Sequence, residues 1–306
     1  MRKSIFRKIG VFMVLSVFGF CALGSGESTE GDKQGIVSSG ENSEEGVTSD
    51  GNDFTIEEQV LVDKKGIKVT ATGVENDSIM GNGIKLLLEN NSKKNVTVGC
   101  DALIVNDYMI SDLFVADIAA GKKANETMYI MSSELDAAGI SNIGQIEIYF
   151  HVNDSETYDK IFSTDVVTIK TSQYDKMDKK TDAQDDGFEL CNQDGIRIIG
   201  KYVDEDSFWG TAVLLYIENE SGKNVGISCE DMSINGFMVS PLFSSTVYDG
   251  KKALDDITIF SSDLEENGIE KVEDIELNFH VYNANSYDTL FDTGAITFSV
   301  KGDKKK

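Results

Sequence analysis

The sequence predicts an all-β protein made of two tandem antiparallel β-sandwiches, each with one short helical turn. Three observations predict this class. A repeat covers most of the chain, apolar and polar residues alternate within each copy, and turn residues recur at intervals of about 8–12 residues. Alternation places one face of each strand in a core, and closely spaced turns are typical of sandwiches and barrels.

Composition and charge exclude several classes of function. The 306-residue chain has 53 acidic and 28 basic residues, for a formal net charge of -25. Affinity for a phosphate backbone comes mainly from lysine and arginine, so we expect no nucleic-acid partner. Two His and four Cys are few ligands for a transition metal, so we expect no metal and no cofactor. With 40% hydrophobic residues the chain has enough apolar side chains for a packed core.

Residues 1–24 have the pattern of a signal peptide. Basic residues at positions 2, 3, 7 and 8 precede an apolar stretch at 9–23. That stretch is shorter than the ~20 residues of a membrane-spanning helix. The run Ala22-Leu23-Gly24 suits cleavage, so we expect export and an exported chain that begins at Ser25.

Lipidation at Cys21 is the alternative to cleavage. A bacterial lipobox has a small residue before its cysteine, whereas here Phe20 stands there. We therefore favour release after Gly24, with anchoring at Cys21 and an uncut anchor left open. If Cys21 leaves with the signal, an odd number of cysteines remains, and we expect Cys100, Cys191 and Cys229 to be buried thiols and not a disulfide framework.

Composition divides the rest of the chain. Residues 25–53 are polar and acidic, which predicts a disordered spacer because so few apolar groups cannot offset the entropy of ordering. Residues 54–172 and 188–301 are the two predicted sandwich repeats. Residues 173–187 are polar and predict a linker, and 302–306 form a basic tail.

The two copies align at an offset of 129 residues without a gap. Gly66 falls on Gly195, and Phe150-His151-Val152 falls on Phe279-His280-Val281. The offset is far longer than the ~20–50 residues of a solenoid repeat, so we expect each copy to be a self-contained domain.

Each element follows from local pattern. Strands are predicted at 66–71, 84–88, 96–105 and 146–153 and at the equivalent positions of the second copy. Asn235-Gly236 predicts a type I′ hairpin turn, which Asn106-Asp107 repeats more weakly. Segments 132–139 and 261–268 predict one short helix per copy, with a serine N-cap and a terminal glycine. We expect an immunoglobulin-like sandwich of seven or eight strands in each copy.

The repeated motifs resemble a known group of domains. They are E-N-x-S-x-K-N-V, G-K-K-A, S-S-[DE]-L and F-H-V, present in both copies. The pattern resembles tandem immunoglobulin-like domains of unknown function in exported proteins and lipoproteins of Gram-positive bacteria. The resemblance covers both repeats and implies fold and surface location. It supplies no catalytic residues.

The sequence shows no catalytic constellation. His151 and His280 lie on the outer face of their strands, and Glu147 is about 13 Å along the same strand from His151, too far for a hydrogen bond. We expect each His to be hydrogen-bonded across strands at the surface. Neither a G-x-S-x-G elbow nor a C-x-x-C or H-E-x-x-H pair occurs.

Acids, aromatics and basic turns provide weaker candidates. Asp101, Asp107 and Asp112 align with Glu230, Gly236 and Pro241, so no acidic set is duplicated and we expect no calcium site. The exposed-loop pair Phe208 and Trp209 is the candidate ligand-binding tip, with a cap over the sandwich end as the simpler interpretation. We interpret the basic turns at 121–123 and 250–252 as solvated, with contact to acidic polymers as the alternative.

These observations predict a non-enzymatic exported or cell-surface protein that binds or presents a ligand, with a surface polymer, protein or glycan as partner. The alternative is a carbohydrate-binding module that uses Trp209, and a hydrolase with dispersed carboxylates ranks third. Membrane contact is expected only through the N-terminal segment, if that segment is lipidated or left uncut.

Overall fold

The computed structural model describes residues 54–77, 81–177, 187–207 and 209–300. The signal peptide, the Cys21 site, the acidic spacer, Phe208 and the basic tail lie outside these residues. The regular secondary structure of the described residues is almost entirely β-strand, and the strands form two mainly antiparallel sandwiches. The predicted all-β class with one short helix per repeat is therefore confirmed.

Ten strands and one helix make up the described part of each repeat. The first repeat contains β1 Gln59–Lys64, β2 Ile67–Asp77, β3 Gly81–Asn90, β4 Val96–Val105, β5 Tyr108–Ile110, β6 Val115–Ile118, β7 Lys123–Ile130, α1 Ser132–Ala138, β8 Gln145–Asp154, β9 Lys160–Ser163 and β10 Val167–Lys170. The second contains β11 Phe188–Gln193, β12 Ile196–Ser207, β13 Gly210–Asn219, β14 Val225–Ile234, β15 Phe237–Met238, β16 Ser244–Val247, β17 Lys251–Phe260, α2 Ser261–Glu266, β18 Asp274–Asn283, β19 Thr289–Asp292 and β20 Ile296–Ser299. The predicted number of seven or eight was too low, because sequence alternation does not reveal strands of two to four residues.

Each repeat packs one sheet against another. In the first repeat the sheet β1-β2-β3-β7 faces the strands β10-β8-β4-β5. Two short strands extend this second layer, with β6 paired to β4 and β9 paired to β8. In the second repeat β11-β12-β13-β17 faces β15-β14-β18-β19, with β16 and β20 added. The alternation read from the sequence sets the inner faces, so Phe150 and Phe279 are completely buried, whereas their neighbours His151 and His280 point outward.

The two repeats are joined by a continuous sheet. Strand β5 of the first repeat pairs in parallel with β17 of the second, with Tyr108 opposite Lys252. Most buried residues divide into one cluster per repeat, but Ile199 and Tyr216 of the second repeat belong to the cluster of the first. The expectation of two self-contained domains was therefore too simple, because one sheet and part of one core cross the boundary.

The hairpin turns have the predicted backbone conformation, whereas the helix caps differ from the prediction. Asn235 and Gly236 have φ values of 51° and 83°, as a type I′ turn requires. The turn at Asn106 has the same form. The helices begin at Ser132 and Ser261, but the preceding residues are apolar and provide no side-chain cap, so the predicted serine N-caps were wrong. The serines occupy the first helical position instead.

The predicted linker begins too early. Ser172 bonds to Thr55 through both its backbone amide and its hydroxyl group. A short 3-10 turn follows at Tyr174–Lys176. The Met177 side chain packs so closely over Gly144 that a Cβ atom there would lie 2.6 Å from the Met177 Cβ. Residues up to 177 thus pack on the first repeat, and residues 178–186 lie outside the described part.

Candidate functional site

Both histidines pair with an aspartate on a neighbouring strand. His151 Nδ1 lies 2.7 Å from Asp101 Oδ1, and His280 Nδ1 lies 2.6 Å from Asp292 Oδ1. The hydrogen bond from His151 lowers the pKa of Asp101, although burial opposes this effect. The histidines are therefore bonded across strands, as the sequence predicted. The partner differs between copies, because Asp101 lies on β4 and Asp292 on β19.

Three rings form a row on the outer face of the second repeat. His280 and Tyr282 follow each other on that face of β18, and their ring centroids are 5.6 Å apart with planes 25° apart. Tyr287, in the turn before β19, continues the row at 6.1 Å and 19°. These spacings belong to offset stacking, which leaves part of each ring face uncovered. We call His280, Tyr282 and Tyr287 the aromatic row.

A glycine seats the middle ring on the sheet. Gly226 of β14 lies opposite Tyr282, and a Cβ at position 226 would lie 2.2 Å from the Tyr282 Cζ atom. Only glycine therefore allows the ring to lie across the neighbouring strand. The first repeat uses the same device under a different ring, because a Cβ at Gly99 would lie 2.5 Å from His151 Nε2.

Tyr287 holds an unusual backbone conformation. Its φ is 61°, in the left-handed region that bulky residues avoid, and its side chain is 77% exposed. Its amide donates to the carbonyl of Asn283, 2.8 Å away. The Asn283 side chain also accepts hydrogen bonds from Asn285 and Ser286 and shapes the turn. A glycine would hold this backbone more easily, so the tyrosine ring is not explained by folding.

The first repeat carries a partial counterpart of the row. Tyr158 also has a φ of 61° and is 79% exposed. Position 153 holds Asn where the second repeat has Tyr282, so the three-ring row is absent. The buried Asn153 Oδ1 atom has no hydrogen-bond partner among the described residues. The first repeat thus presents one exposed tyrosine, and the strand position that Tyr282 fills in the second repeat holds an asparagine whose Oδ1 atom is buried.

Only one residue of the sequence-predicted tip lies within the described part of the chain. Trp209 is 51% exposed, and its carbonyl oxygen accepts a hydrogen bond from the Ser261 amide at the start of α2. Phe208 lies outside the described residues, so the predicted pair remains a prediction. The aromatic row is formed without it.

The basic turns have different surroundings in the two copies. Lys122 and Lys123 are exposed, as expected for a solvated turn. Lys251 is largely buried and forms ion pairs with Asp107, at 2.8 Å, and Glu147. Burial would lower the Lys251 pKa, but the two carboxylates outweigh it and raise the pKa. The interpretation of the second turn as solvated was wrong, because the first repeat packs on it.

The acids considered for calcium have separate partners. Asp101 bonds to His151, Asp107 pairs with Lys251, and Asp112 accepts a hydrogen bond from the Phe114 amide. Within the described ranges, no group of three or more His, Cys, Asp or Glu residues is arranged to hold a metal ion.

Carboxyl groups with raised pKa values gather near the repeat boundary. Burial raises the pKa of Asp255 to about 7, and repulsion from Asp256 and Glu134 adds to the effect. Burial likewise raises the pKa values of Asp256, Glu134 and Asp112. These acids are the structural basis for retaining a hydrolase as a rival interpretation.

The cysteines are free thiols in the structure. Cys191 is buried, and Cys100 and Cys229 are partly buried. Burial raises the pKa of the Cys229 thiol to about 12 and also raises the pKa values of Cys100 and Cys191. All three thiols are therefore protonated and poorly nucleophilic at neutral pH. None of the helices in the described ranges is long and apolar enough to cross a membrane.

The sequence contained an overlooked signal for the exposed tyrosines. The repeat offset aligns Tyr158-Asp159 with Tyr287-Asp288, in turns that are otherwise polar. A large apolar ring retained in both copies of a polar turn is unexpected and marks a candidate contact residue. The ring row itself was not predictable, because Tyr287 joins it through a left-handed backbone that tyrosine rarely adopts.

Comparisons with known proteins give limited information. No family model matches the sequence, and no curated protein matches it. A structure search finds matching chains, among them the Salmonella enterica SafA pilin in complex with the SafB chaperone. That match is 10% identical and covers 78% of this chain and 98% of that chain, with a TM-score of 0.24. So low a TM-score carries no argument about fold or function.

Proposed function

We propose that this protein is a non-enzymatic, exported binding protein that holds sugar rings of a surface polymer against the aromatic row. The observation that carries the proposal is Tyr287, an exposed ring held on a strained backbone at the end of an offset stack. Backbone strain at a bulky exposed residue clusters at binding and active sites, which supports a binding role for this ring.

The chemistry of the row suits a sugar ligand. Tyrosine rings offer a rigid apolar face and a hydroxyl group that forms hydrogen bonds, and they lose little conformational entropy on binding. The C–H face of a sugar ring can pack on Tyr287. Asp292 and the His280 imidazole beside it supply polar groups for the ring hydroxyls. The chain's strong negative charge also favours a neutral ligand over an acidic one.

The duplicated turn supports binding to a repeating polymer. Tyr158 and Tyr287 present one exposed ring per repeat, and the sheet pairing between β5 and β17 fixes the two repeats relative to each other. Two weak contacts on one polymer give higher avidity than either alone, provided that both sites engage together.

A binding experiment tests the proposal. The chain from Ser25 is screened on a glycan array, and each hit is measured again by titration with the double variant Tyr158→Gly/Tyr287→Gly. We expect the double variant to lose at least about fivefold in affinity, since each stacking ring contributes about 0.5–1.5 kcal/mol. Trp209→Ala is the matched control and should bind like the unaltered chain. Binding that survives the tyrosine changes and disappears with Trp209→Ala would transfer the site to the loop at 209.

Export is tested separately in cells. The full chain is expressed in a Gram-positive host, and its mass and location are measured beside the Cys21→Ser variant. We expect a released chain beginning at Ser25 with either sequence. Retention in the membrane that depends on Cys21 would show lipid anchoring, and an uncut chain in the cytoplasm would refute export.

A further inference from the structure

The boundary between the repeats is a specific interface. The Lys252 amide donates a hydrogen bond to the Asp107 carbonyl, 2.9 Å away. Tyr108 packs against Tyr216 at 6.5 Å between centroids, and the Lys252 ammonium lies 5.6 Å from the Tyr108 ring centre. Tyr108 is only 2% exposed as a result. One end of the first repeat thus docks on one sheet edge of the second.

An ion-pair cluster closes the same interface. Lys251 reaches across to both Asp107 and Glu147, and the Lys251 and Glu147 side chains are largely buried there. Tyr149 and Tyr248 meet edge to face at 4.8 Å beside the cluster. The contact therefore combines backbone pairing, aromatic packing and buried charge.

Because the chain is a repeat, the docking end recurs at the second repeat. Strand β15 is the counterpart of β5, with Phe237 and Met238 in the places of Tyr108 and Met109. Strand β15 ends its sheet in the described part of the chain. Phe237 and Met238 are 49% and 63% exposed, which is unusual for two adjacent large apolar residues on a strand.

The receiving edge recurs at the first repeat. Strand β7 is the counterpart of β17, pairs with β3 in the same register, and ends its described sheet. Asn125 and Glu126 are exposed on β7, whereas Leu254, the counterpart of Asn125, packs against the core of the first repeat. The two ends of the molecule therefore expose the two halves of its own internal interface.

The exposed halves match each other in chemistry. Lys122 and Glu276 stand in the places of Lys251 and Glu147, and both are exposed. Lys123 is the counterpart of Lys252, whose ammonium group lies over the Tyr108 ring. In the contact between copies, Phe237 takes the place of Tyr108. Leu87 replaces Tyr216 as its apolar neighbour.

Other contacts of the internal interface have no counterpart at the ends. Gly236 stands in place of Asp107, so the second carboxylate is missing. Asn278 and Ala119 replace the edge-to-face pair Tyr149 and Tyr248. The contact between ends is therefore expected to be weaker than the internal one and to depend on protein concentration.

We propose that copies of this chain associate head to tail, with β15 of one copy docked on β7 of the next. The contact uses different surfaces on the two partners, so it generates a ring or an open filament and not a symmetric dimer. The Lys122–Glu276 ion pair fixes its register. The proposal is independent of the sugar ligand.

Sedimentation velocity of the chain from Ser25, across a hundredfold range of concentration, tests the proposal. The average mass should rise with concentration beyond that of a dimer. The variants Lys122→Glu and Glu276→Lys should each weaken association by about tenfold or more, because each places like charges in the contact. Both residues are exposed, so circular dichroism and the melting temperature should show unchanged folding.

Mixing the two charge-reversed variants provides the decisive control. Every junction between unlike variants pairs Lys with Glu again, so an equimolar mixture should recover, as alternating copies, the association that each variant lost. A solution of the Phe237→Asp variant alone should stay monomeric, because every junction requires the β15 end of one copy. A chain that stays monomeric throughout, association that ignores both reversals, or a mixture no better than its components would overturn the proposal.

Discussion

At the scale of single residues, two side chains occupy positions that folding alone does not favour. Tyr287 holds a left-handed backbone while its ring remains in solvent. Asp255 lies buried beside other acids at the repeat boundary. Each arrangement costs free energy, and the two have different consequences. The tyrosine exposes a ring that can bind a ligand, and the aspartate makes the free energy of unfolding depend on pH.

Replacing Tyr287 with glycine should leave the fold intact or stabilise it. A non-glycine residue in the left-handed region costs about 1–2 kcal/mol, which glycine avoids, although glycine loses more entropy on folding. We expect the free energy of unfolding to stay within about 1 kcal/mol of the unaltered value. Urea denaturation measures it. A loss of several kcal/mol would mean that the ring is structural.

Asp255 should make the protein less stable as pH rises. Its pKa is raised to about 7, so the folded state holds the proton more tightly than the unfolded chain, whose value is near 3.8. The stabilisation is complete below the unfolded value and is lost as pH rises through about 7. Asp255→Asn should therefore raise the free energy of unfolding at pH 8 by up to about 4 kcal/mol, at about 1.4 kcal/mol per pKa unit, and change it little at pH 4.

The matched control for Asp255 is its exposed counterpart in the first repeat. Glu126→Gln should leave the pH profile of denaturation unchanged, since Glu126 lies on the exposed β7 edge. An unchanged profile with Asp255→Asn would show that burial of this carboxyl group does not control the pH dependence.

At the scale of elements, the hairpins β4–β5 and β14–β15 are each held by an asparagine in the turn. Asn106 takes the first turn position with positive φ, donates from Nδ2 to the Asn142 carbonyl and accepts from the amides of Gly144 and Gln145. Asn235 makes the same three kinds of bond in the second repeat. The side chain thus ties the hairpin turn to the start of the neighbouring long strand.

Asn106→Ala should destabilise the protein by about 2–3 kcal/mol, since it removes three hydrogen bonds and leaves alanine at positive φ. Thermal or urea denaturation measures the change. Asn106→Asp is the comparison, because it tolerates the turn backbone and keeps the acceptor while losing the donor, so its cost should be smaller. Equal losses of stability from the two substitutions would show that the hydrogen bond from Asn106 Nδ2 accounts for the whole effect.

The elements were the most predictable level of this protein. Alternation at 146–152 and 275–281 gave the long strands, and the Asn-Gly turn gave a hairpin, because both depend on local periodicity and backbone preference. The short strands and the helix caps were not predictable. They depend on which neighbour covers an edge, as with Tyr108–Ile110 against β17.

At the scale of the whole molecule, similar repeats have acquired unlike surfaces. The interface residues Asp107, Tyr149 and Tyr248 have the counterparts Gly236, Asn278 and Ala119. These differences lie at the boundary between the repeats. A position-by-position comparison of the two copies therefore indicates some of the residues through which they dock. The continuous sheet itself was not predictable, since periodicity within a copy does not state which edges meet.

Lys251 should contribute strongly to the stability of the tandem. Lys251→Ala leaves Glu147 largely buried without its partner, and we expect a loss of about 2–4 kcal/mol in the free energy of unfolding. Lys122→Ala is the control at the equivalent exposed turn and should change it by less than about 0.5 kcal/mol in dilute solution. Equal effects of the two changes would contradict a special role for the inter-repeat cluster.

The central claim, that the aromatic row is the ligand-binding surface, is tested most directly by NMR. The aromatic ring signals of the chain from Ser25 are followed while a glycan selected on the array is added. The account predicts that the Tyr282, Tyr287 and His280 ring signals shift together and saturate, while the Trp209 indole signal stays in place. Saturating shifts at Trp209 with unchanged tyrosine signals would contradict it.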